Sequence, residues 1–271
     1  MTKDGYKVSK LNLVREEKVP ADASVVVIAG PTTEPFAEEM NKVDAYLNGG
    51  GSVLVMLDPP PAASLKDFTE KWSMTVGNNR VIDATGMGRL LGTGPGSPLL
   101  SSYGSHPIFD RFNLFTFFPL VRSVTPSKTP VSGLMAESLL ETSPQSWAEA
   151  DLQSNEVSFD EKTDVKGPVS IATVVTKDAA DGKKTRLIVF GDSDFAINAN
   201  FSNQGNGNLF INTVKWLARD ENLISIKTKD PMDRPISMTE SGGRTVGFVA
   251  VILLPVAALL SGVTVWARRR K

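Results

Sequence analysis

The chain has 271 residues, 29 of them basic and 30 acidic, with a formal net charge of −1, so no basic field indicates nucleic acid as a partner. It contains no cysteine and a single histidine, His106, which excludes disulfides, thiolate nucleophiles, cysteine-ligated metal centres and multi-histidine metal sites. The length is enough for one sizeable core with a small appendage.

Apolar runs bounded by turn residues predict the strands of a buried sheet. The three clearest are residues 24–29 (SVVVIA), 52–57 (SVLVML) and 185–190 (TRLIVF), which are continuous, as in parallel sheets that are covered on both faces. Apolar side chains at helical spacing over residues 35–48, followed by three glycines, predict a helix between the first two strands. This βαβ unit is the clearest signal of fold class in the chain.

The remaining elements complete an α/β pattern. Residues 169–176 (VSIATVVT) predict a fourth strand and residues 207–219 a closing helix. Residues 115–124 and 134–143 predict strands on an inserted, β-rich layer. We therefore expect an open, mostly parallel α/β sheet of the flavodoxin-like or class I amidotransferase-like kind.

A glycine-rich stretch, residues 86–96 (GMGRLLGTGPG), lies within the inserted region. It lacks the Gly-Lys-Ser/Thr ending of a P-loop, and it does not join a strand to a helix as a dinucleotide-binding loop does. We interpret it as a surface loop and expect no cofactor.

The C-terminal part of the chain predicts a membrane segment. Residues 245–267 carry no charge, and 23 helical residues would span roughly 35 Å, enough for a hydrocarbon core of about 30 Å. Arg244 precedes the segment, and residues 268–271 (RRRK) follow it. The predicted organisation is an extracytoplasmic α/β domain (1–223), a juxtamembrane linker (224–244), one transmembrane helix (245–267) and a basic cytoplasmic tail (268–271).

No basic-then-apolar leader stands at the start of the chain, although the positive-inside rule places the main domain outside the cytoplasm. Either an upstream portion with another membrane segment is missing from this sequence, or the apolar segment inserts after synthesis as a tail anchor. A tail anchor would place residues 268–271 outside the cytoplasm, against the positive-inside rule, so we expect the missing upstream portion.

Polar residues follow the predicted parallel strands and mark a candidate site. Ligands of open α/β sheets bind at the carboxyl ends of the strands, so we expect ligand-binding residues among Pro31, Asp58, Asp192, Ser193 and Asp194. A cation held by the three aspartates is an alternative to a ligand of another kind.

The Gly-Asp-Ser-Asp block at 191–194 admits two interpretations. In GDSL-type hydrolases a similar block supplies a nucleophilic serine, which needs a histidine held by a carboxylate. Here no histidine follows the block, and Tyr103 rather than an aspartate stands three residues before His106. The other interpretation is structural: Asp192 and Asp194 accept backbone hydrogen bonds at the turn, and Asn206 or Asn208 caps the last helix. His106, which is followed by Pro107, also has two interpretations. It is either a functional group whose charge changes near neutral pH, or a residue at the start of a helix that has proline in its first turn.

Several blocks occur in a fixed order: VVVIAGPTTEPFAEEMNKVDAYLNGGGSVLVMLDPP, SHPI, TSPQSWAE, LIVFGDSDFAIN with GNLFINTVKWLA, and ENLISIKTKDPMDRPI before the apolar segment. In these blocks and in their order, the chain resembles GldG-like proteins. These are the auxiliary components of ABC-type transport systems named for gliding motility. The resemblance implies an extracytoplasmic domain related in fold to class I amidotransferases, with an ABC permease and ATPase as partners and no established catalytic residues. It also implies that the chain is the C-terminal portion of such a protein.

The expected function is a non-catalytic accessory subunit of an ABC transport system, anchored in the bilayer of the inner membrane by one C-terminal span. Its periplasmic or extracytoplasmic domain would bind substrate, an envelope ligand or a partner protein. Two alternatives stay open: an envelope hydrolase that uses Ser193 or a strand-end metal, and a purely structural envelope scaffold. No Walker motif is present, so energy would come from a partner.

Overall fold

A computed structural model describes residues 5–85, 88, 94–153, 157–219 and 249–270. The chain divides into two compact units, Met1–Ile226 and Lys227–Lys271.

The first unit contains short and long strands connected by few helices. Its described strands are β1 (Val26–Ala29), β2 (Ser52–Met56), β3 (Met74–Val76), β4 (Arg80–Asp83), β5 (Leu99–Leu100), β6 (Thr116–Phe117), β7 (Val124–Pro126), β8 (Met135–Glu141), β9 (Ser146–Glu149), β10 (Val165–Lys166), β11 (Ser170–Asp178) and β12 (Lys184–Phe190). Its α-helices are α1 (Ala37–Asn48), α2 (Lys66–Lys71), α3 (Asn198–Phe201) and α4 (Asn206–Leu217), and 3₁₀ turns cover Pro107–Phe109, Ala180–Gly182 and Asp194–Ala196.

The main sheet is open and mixed, with the strand order β1-β2-β12-β11-β8. β1 and β12 flank β2 in parallel, whereas β11 is antiparallel to both β12 and β8. The mixed α/β class and the open sheet are confirmed. The prediction of a mostly parallel sheet is too strong, because the short connection between β11 and β12 allows only an antiparallel pair.

The inserted region is smaller than the sequence predicted. β8, expected on an inserted layer, pairs with β11 in the main sheet. Of residues 115–124, only β6 is a separate strand, and Val124 begins β7. The remaining strands form small antiparallel sheets: β10-β9-β4, β3-β7 and β5-β6.

Apolar cores lie on both faces of the main sheet. Successive side chains of β2 point to opposite faces, so this strand contributes to both cores. Val53 and Val55 pack in the cluster that contains the buried face of α1. Leu54 and Met56 pack in the cluster that contains α4. All five residues of β2 are buried, which explains why its sequence is continuously apolar.

The start of α4 is fixed by a buried amide. The Asn206 side chain donates to the carbonyls of Phe117 and Phe195 and accepts from the N–H of Phe117. The prediction that Asn206 or Asn208 caps this helix is wrong: Gly205 is the cap residue, and no side chain caps it. Asn206 instead connects α4 to β6 and to the loop after β12.

In the second unit, a π-helical turn (Val249–Leu253) leads into α5 (Leu254–Arg269). Pro255 stands in the first turn of α5, directly after the π-helical turn. Among the residues that the structure describes, no helix is both long and apolar enough to cross a bilayer. The predicted linker and residues 245–248 lie outside the described residues.

Candidate functional site

Asp58 and Ser193 form a direct pair at the carboxyl ends of two neighbouring parallel strands. β2 and β12 end in register at Met56 and Phe190, so the loops that follow them start side by side. The Ser193 N–H donates to Asp58 Oδ1 at 2.7 Å, and the Ser193 hydroxyl donates to Asp58 Oδ2 at 2.9 Å. Both residues are half-buried. Of the five residues predicted for the site, the structure thus brings Asp58 and Ser193 into direct contact.

Gly30, directly after β1, packs against both members of this pair. Its φ is +55°, and a Cβ there would lie 2.7 Å from the Ser193 Oγ and 3.0 Å from the Asp58 Oδ2. Only glycine combines this backbone conformation with such a close approach. The glycine of the Gly30-Pro31 turn is thus required by the Asp58–Ser193 pair.

Asp192, which belongs to the predicted set, is turned into the core. Its side chain is fully buried and accepts the N–H groups of Asp194 at 2.8 Å and Phe195 at 3.2 Å. Burial raises the pKa of Asp192 well above its usual range. This residue holds the turn after β12, as the structural interpretation of the block predicted.

Asp194 lies half-exposed at the rim of the site. Burial, followed by the charge of Asp58, raises the pKa of Asp194. The contribution of Asp58 shows that these two carboxyls lie close enough to interact at this edge of the sheet.

Pro31 contributes its backbone rather than a ligand-binding side chain. Its carbonyl accepts the N–H of Ala63 at 3.1 Å, and Glu34 Oε1 accepts the N–H groups of Ser64 and Leu65 at 2.8 and 3.2 Å. The loops after β1 and β2 are therefore tied together, which fixes the outline of the carboxyl edge.

Arg122 lies beneath the site and was missed by the sequence analysis. It is 2% exposed, and its guanidinium donates to the carbonyls of Gly77 at 2.8 Å, Asp58 at 3.0 Å and Ala63 at 3.4 Å. Burial lowers the pKa of Arg122, while the charges of Glu34 and Asp58 act in the opposite direction. A lone arginine inside an apolar run is the signal that could have identified it.

His106 lies at the other end of the sheet from Ser193. Its ring is 4.8 Å from the Trp216 ring, over which the Arg186 guanidinium also lies at 4.5 Å. From Arg186 to the end of β12 the strand alone spans roughly 13 Å, and Ser193 lies beyond that end. His106 therefore cannot be the base for Ser193.

The local role of His106 is the one expected for a helix start. Its Nδ1 accepts the N–H of Ile108 at the start of a 3₁₀ turn that has Pro107 in first place. Burial, with a smaller effect of the Arg186 charge, lowers the pKa of His106 to about 4. The interpretation of His106 as a cap residue is confirmed.

Within the described residues, no group of three or more acidic or histidine side chains is arranged to hold a metal ion. The predicted alternative of a cation between Asp58, Asp192 and Asp194 thus gains no support, because Asp192 is turned into the core. Most of the glycine-rich stretch 86–96 lies outside the described residues.

The chain is a mixed α/β protein with its candidate site at the carboxyl ends of parallel strands. A family model described as "ABC-type uncharacterized transport system" (ABC_transp_aux) matches residues 1–217. The chain belongs to this family of auxiliary components of ABC-type transport systems, which confirms the resemblance to GldG-like proteins. No curated protein matches the chain significantly.

Among solved structures, the N-terminal domain of mmIFT52 is similar to this chain, with a TM-score of 0.54 and 16% identity over 73% of this chain and 78% of that one. A ThuA-like protein from Bacteroides uniformis ATCC 8492 gives a TM-score of 0.38 and 14% identity over 72% and 69% of the two chains. The first similarity concerns the fold alone. The flavodoxin-like or amidotransferase-like assignment stays a prediction.

Proposed function

We propose that this auxiliary component is a non-catalytic accessory subunit that binds a ligand or partner protein of its transport system at the carboxyl edge of β1, β2 and β12. The observation that carries the proposal is the convergence of Gly30, Asp58 and Ser193 at this edge, which is where open α/β sheets bind their ligands. Arg122 below and Asp194 at the rim make the edge both rigid and charged.

The hydrogen bonds between Asp58 and Ser193 support the non-catalytic part of the proposal. The hydroxyl of Ser193 is bound to Asp58, whose second oxygen is bound to the Ser193 backbone. A carboxylate is a weaker proton acceptor than the imidazole that serine nucleophiles use. Both oxygens of the Asp58 carboxylate already accept hydrogen bonds from Ser193 and thereby connect two loops. The geometry therefore suits a binding edge better than a reaction centre.

The contact between Asp58 and the Ser193 hydroxyl is also the one observation that favours a hydrolase. A serine hydrolase requires the Ser193 hydroxyl as its nucleophile, whereas a non-catalytic subunit does not need it for a reaction. If Ser193→Ala keeps full function in a transport or complementation assay, the chain is not a serine hydrolase. If it loses function while it still retains the permease and ATPase as well as the wild type does, the non-catalytic proposal fails.

Partner binding can be tested by co-purifying the permease and ATPase in mild detergent. Asp194→Lys reverses a half-exposed charge at the rim, whereas Glu161→Lys makes the same change at an exposed position in the loop before β10. We expect Asp194→Lys to reduce the retained partners about tenfold, equivalent to ~1.4 kcal/mol of binding free energy, and Glu161→Lys to have no effect. Equal retention by both variants would place the interface elsewhere.

We further propose that residues 245–267 anchor the chain in the inner membrane, with the α/β unit outside the cytoplasm. The proposal rests on the uncharged sequence of this segment and on its basic flank, Arg268 to Lys271. Because the chain has no cysteine, Asp22→Cys and Lys271→Cys can each report their side of the membrane by labelling with an impermeant maleimide. Labelling in intact cells is expected at position 22 and not at position 271; the reverse pattern would contradict the orientation.

A further inference from the structure

Among the strands that the structure describes, β1 is an edge strand of the main sheet and pairs with β2 on one side only. The Gly30 N–H donates to the Met56 carbonyl of β2, and alternate residues of a strand direct their backbone groups to opposite sides. The N–H and C=O groups of Val25, Val27 and Ala29 therefore point away from β2. Among the described residues, none hydrogen-bonds to these groups.

Within the described part of the chain, this edge lacks the protection that the opposite edge has. Residues 24–29 include no charge and no proline, and the Val27 side chain is 38% exposed. The other edge strand, β8, carries Glu137 and Glu141, both exposed. Natural sheets protect free edges with charges, prolines or a covering segment, because an unprotected apolar edge pairs with other strands. β1 thus has the properties of a strand that is covered in the assembled protein.

We propose that β1 pairs with β1 of a second copy of this chain, antiparallel and about a two-fold axis at Val27. A two-fold axis pairs a surface with itself, so the strand must be self-complementary. β1 meets this condition: Val27 would lie opposite Val27 of the second copy, and Val25 opposite Ala29. All three residues direct their backbone groups outward, so their N–H and C=O groups would form six interstrand hydrogen bonds.

The pairing would join the two main sheets into one continuous sheet. The exposed apolar side chain of Val27 would be covered by its own counterpart, and no charge would be buried. An interface of one short strand is small, so the dimer is expected to depend on protein concentration. The inference does not depend on the proposed function, because it concerns the β1 edge and not the Asp58–Ser193 pair.

The chain's lack of cysteine permits a direct test by crosslinking. Residues that face each other as a hydrogen-bonded antiparallel pair have Cα atoms about 5.5 Å apart, within disulfide range. In the full chain in mild detergent, Val27→Cys should form disulfide-linked dimers under mild oxidation at least about tenfold faster than Met135→Cys. Met135 is a matched control, since it lies on the other edge strand and is also exposed. Equal rates for the two variants would overturn the proposal.

The native assembly is tested by light scattering with the wild-type chain and with Val27→Lys. The wild type should approach twice the 29.2 kDa chain mass as its concentration rises, and Val27→Lys should stay monomeric with an unchanged melting temperature. A wild type that stays monomeric at all concentrations, or a Val27→Lys variant that dimerises as well as the wild type, would overturn the proposal. If Val27→Lys fails to fold, the crosslinking rates decide alone.

Discussion

The backbone N–H and the hydroxyl of Ser193 both donate to Asp58, one to each carboxylate oxygen, at 2.7 and 2.9 Å. One side chain thereby joins the loop after β2 to the loop after β12. Because the two strands are parallel neighbours, this bracing fixes the carboxyl edge at which we place ligand or partner binding.

The first prediction separates the two hydrogen bonds of this pair. Ser193→Ala removes only the hydroxyl bond and should lower the free energy of unfolding by about 1 kcal/mol. Asp58→Ala also leaves the Ser193 N–H without its acceptor, so it should cost about 2–3 kcal/mol. Urea denaturation of both variants measures the difference. Equal losses would mean that the backbone bond to Asp58 contributes nothing to stability.

The second prediction concerns Gly30. Gly30→Ala forces a non-glycine residue to a φ of +55° and places its Cβ 2.7 Å from Ser193 Oγ. Such strain costs on the order of 1–3 kcal/mol, and relieving the contact would separate Ser193 from Asp58. Gly49→Ala is the control, because its Cβ would meet nothing closer than 3.5 Å. Thermal unfolding should show a clear loss for position 30 and little change for position 49; similar losses would contradict the close packing of Gly30.

The sequence predicted the elements whose signals are local. β1, β2, β12, α1 and α4 were found because each has a continuous apolar run or a helical pattern with a clear stop. The strand-end rule then placed Asp58 near Ser193 correctly. These predictions needed only the order of residues along the chain and the geometry of a βαβ unit.

Long-range contacts were less accessible from the sequence. Nothing local indicates that β8 pairs with β11, and Arg122 reaches the site from a segment that is distant in sequence. The direction of β11 relative to β12 could have been inferred, since the connection between them is too short for a parallel crossover. Which of Asp192 and Asp194 turns into the core depends on the packing of the loop around Phe195, and the sequence does not determine it.

The third prediction uses the only histidine of the chain. Burial and the Arg186 charge lower the pKa of His106 to about 4, so the folded state favours the neutral ring. Its contribution to stability is therefore fully present above the ordinary histidine pKa of 6.5 and is lost as the pH falls from that value towards 4.

Nuclear magnetic resonance can follow this titration without assignment, since the only imidazole ring signals come from His106. We expect the ring signals of the folded protein to stay unchanged from pH 8 to about 5.5 and to shift near pH 4. The urea-unfolded chain is the control and should titrate near the ordinary value. A folded-state midpoint near 6.5 would contradict the buried position of His106 beside Trp216.

The fourth prediction concerns the buried carboxyl of Asp192. Burial is the main reason that the pKa of Asp192 lies well above its ordinary value of 3.8. The folded state then holds this proton more tightly than the unfolded state. The stabilisation from Asp192 is therefore fully present below pH 3.8 and is lost as the pH rises through the folded-state pKa.

Asp192→Asn removes the ionisation while preserving the size of the side chain, so the difference between wild type and variant isolates this effect. We expect the wild type to lose stability relative to Asp192→Asn as the pH is raised from 4 to 7 in urea denaturation experiments. Asp110→Asn makes the same substitution at an exposed position and is the control for the exchange of side chains itself. A constant difference between wild type and Asp192→Asn over this range would show that Asp192 ionises equally easily in both states.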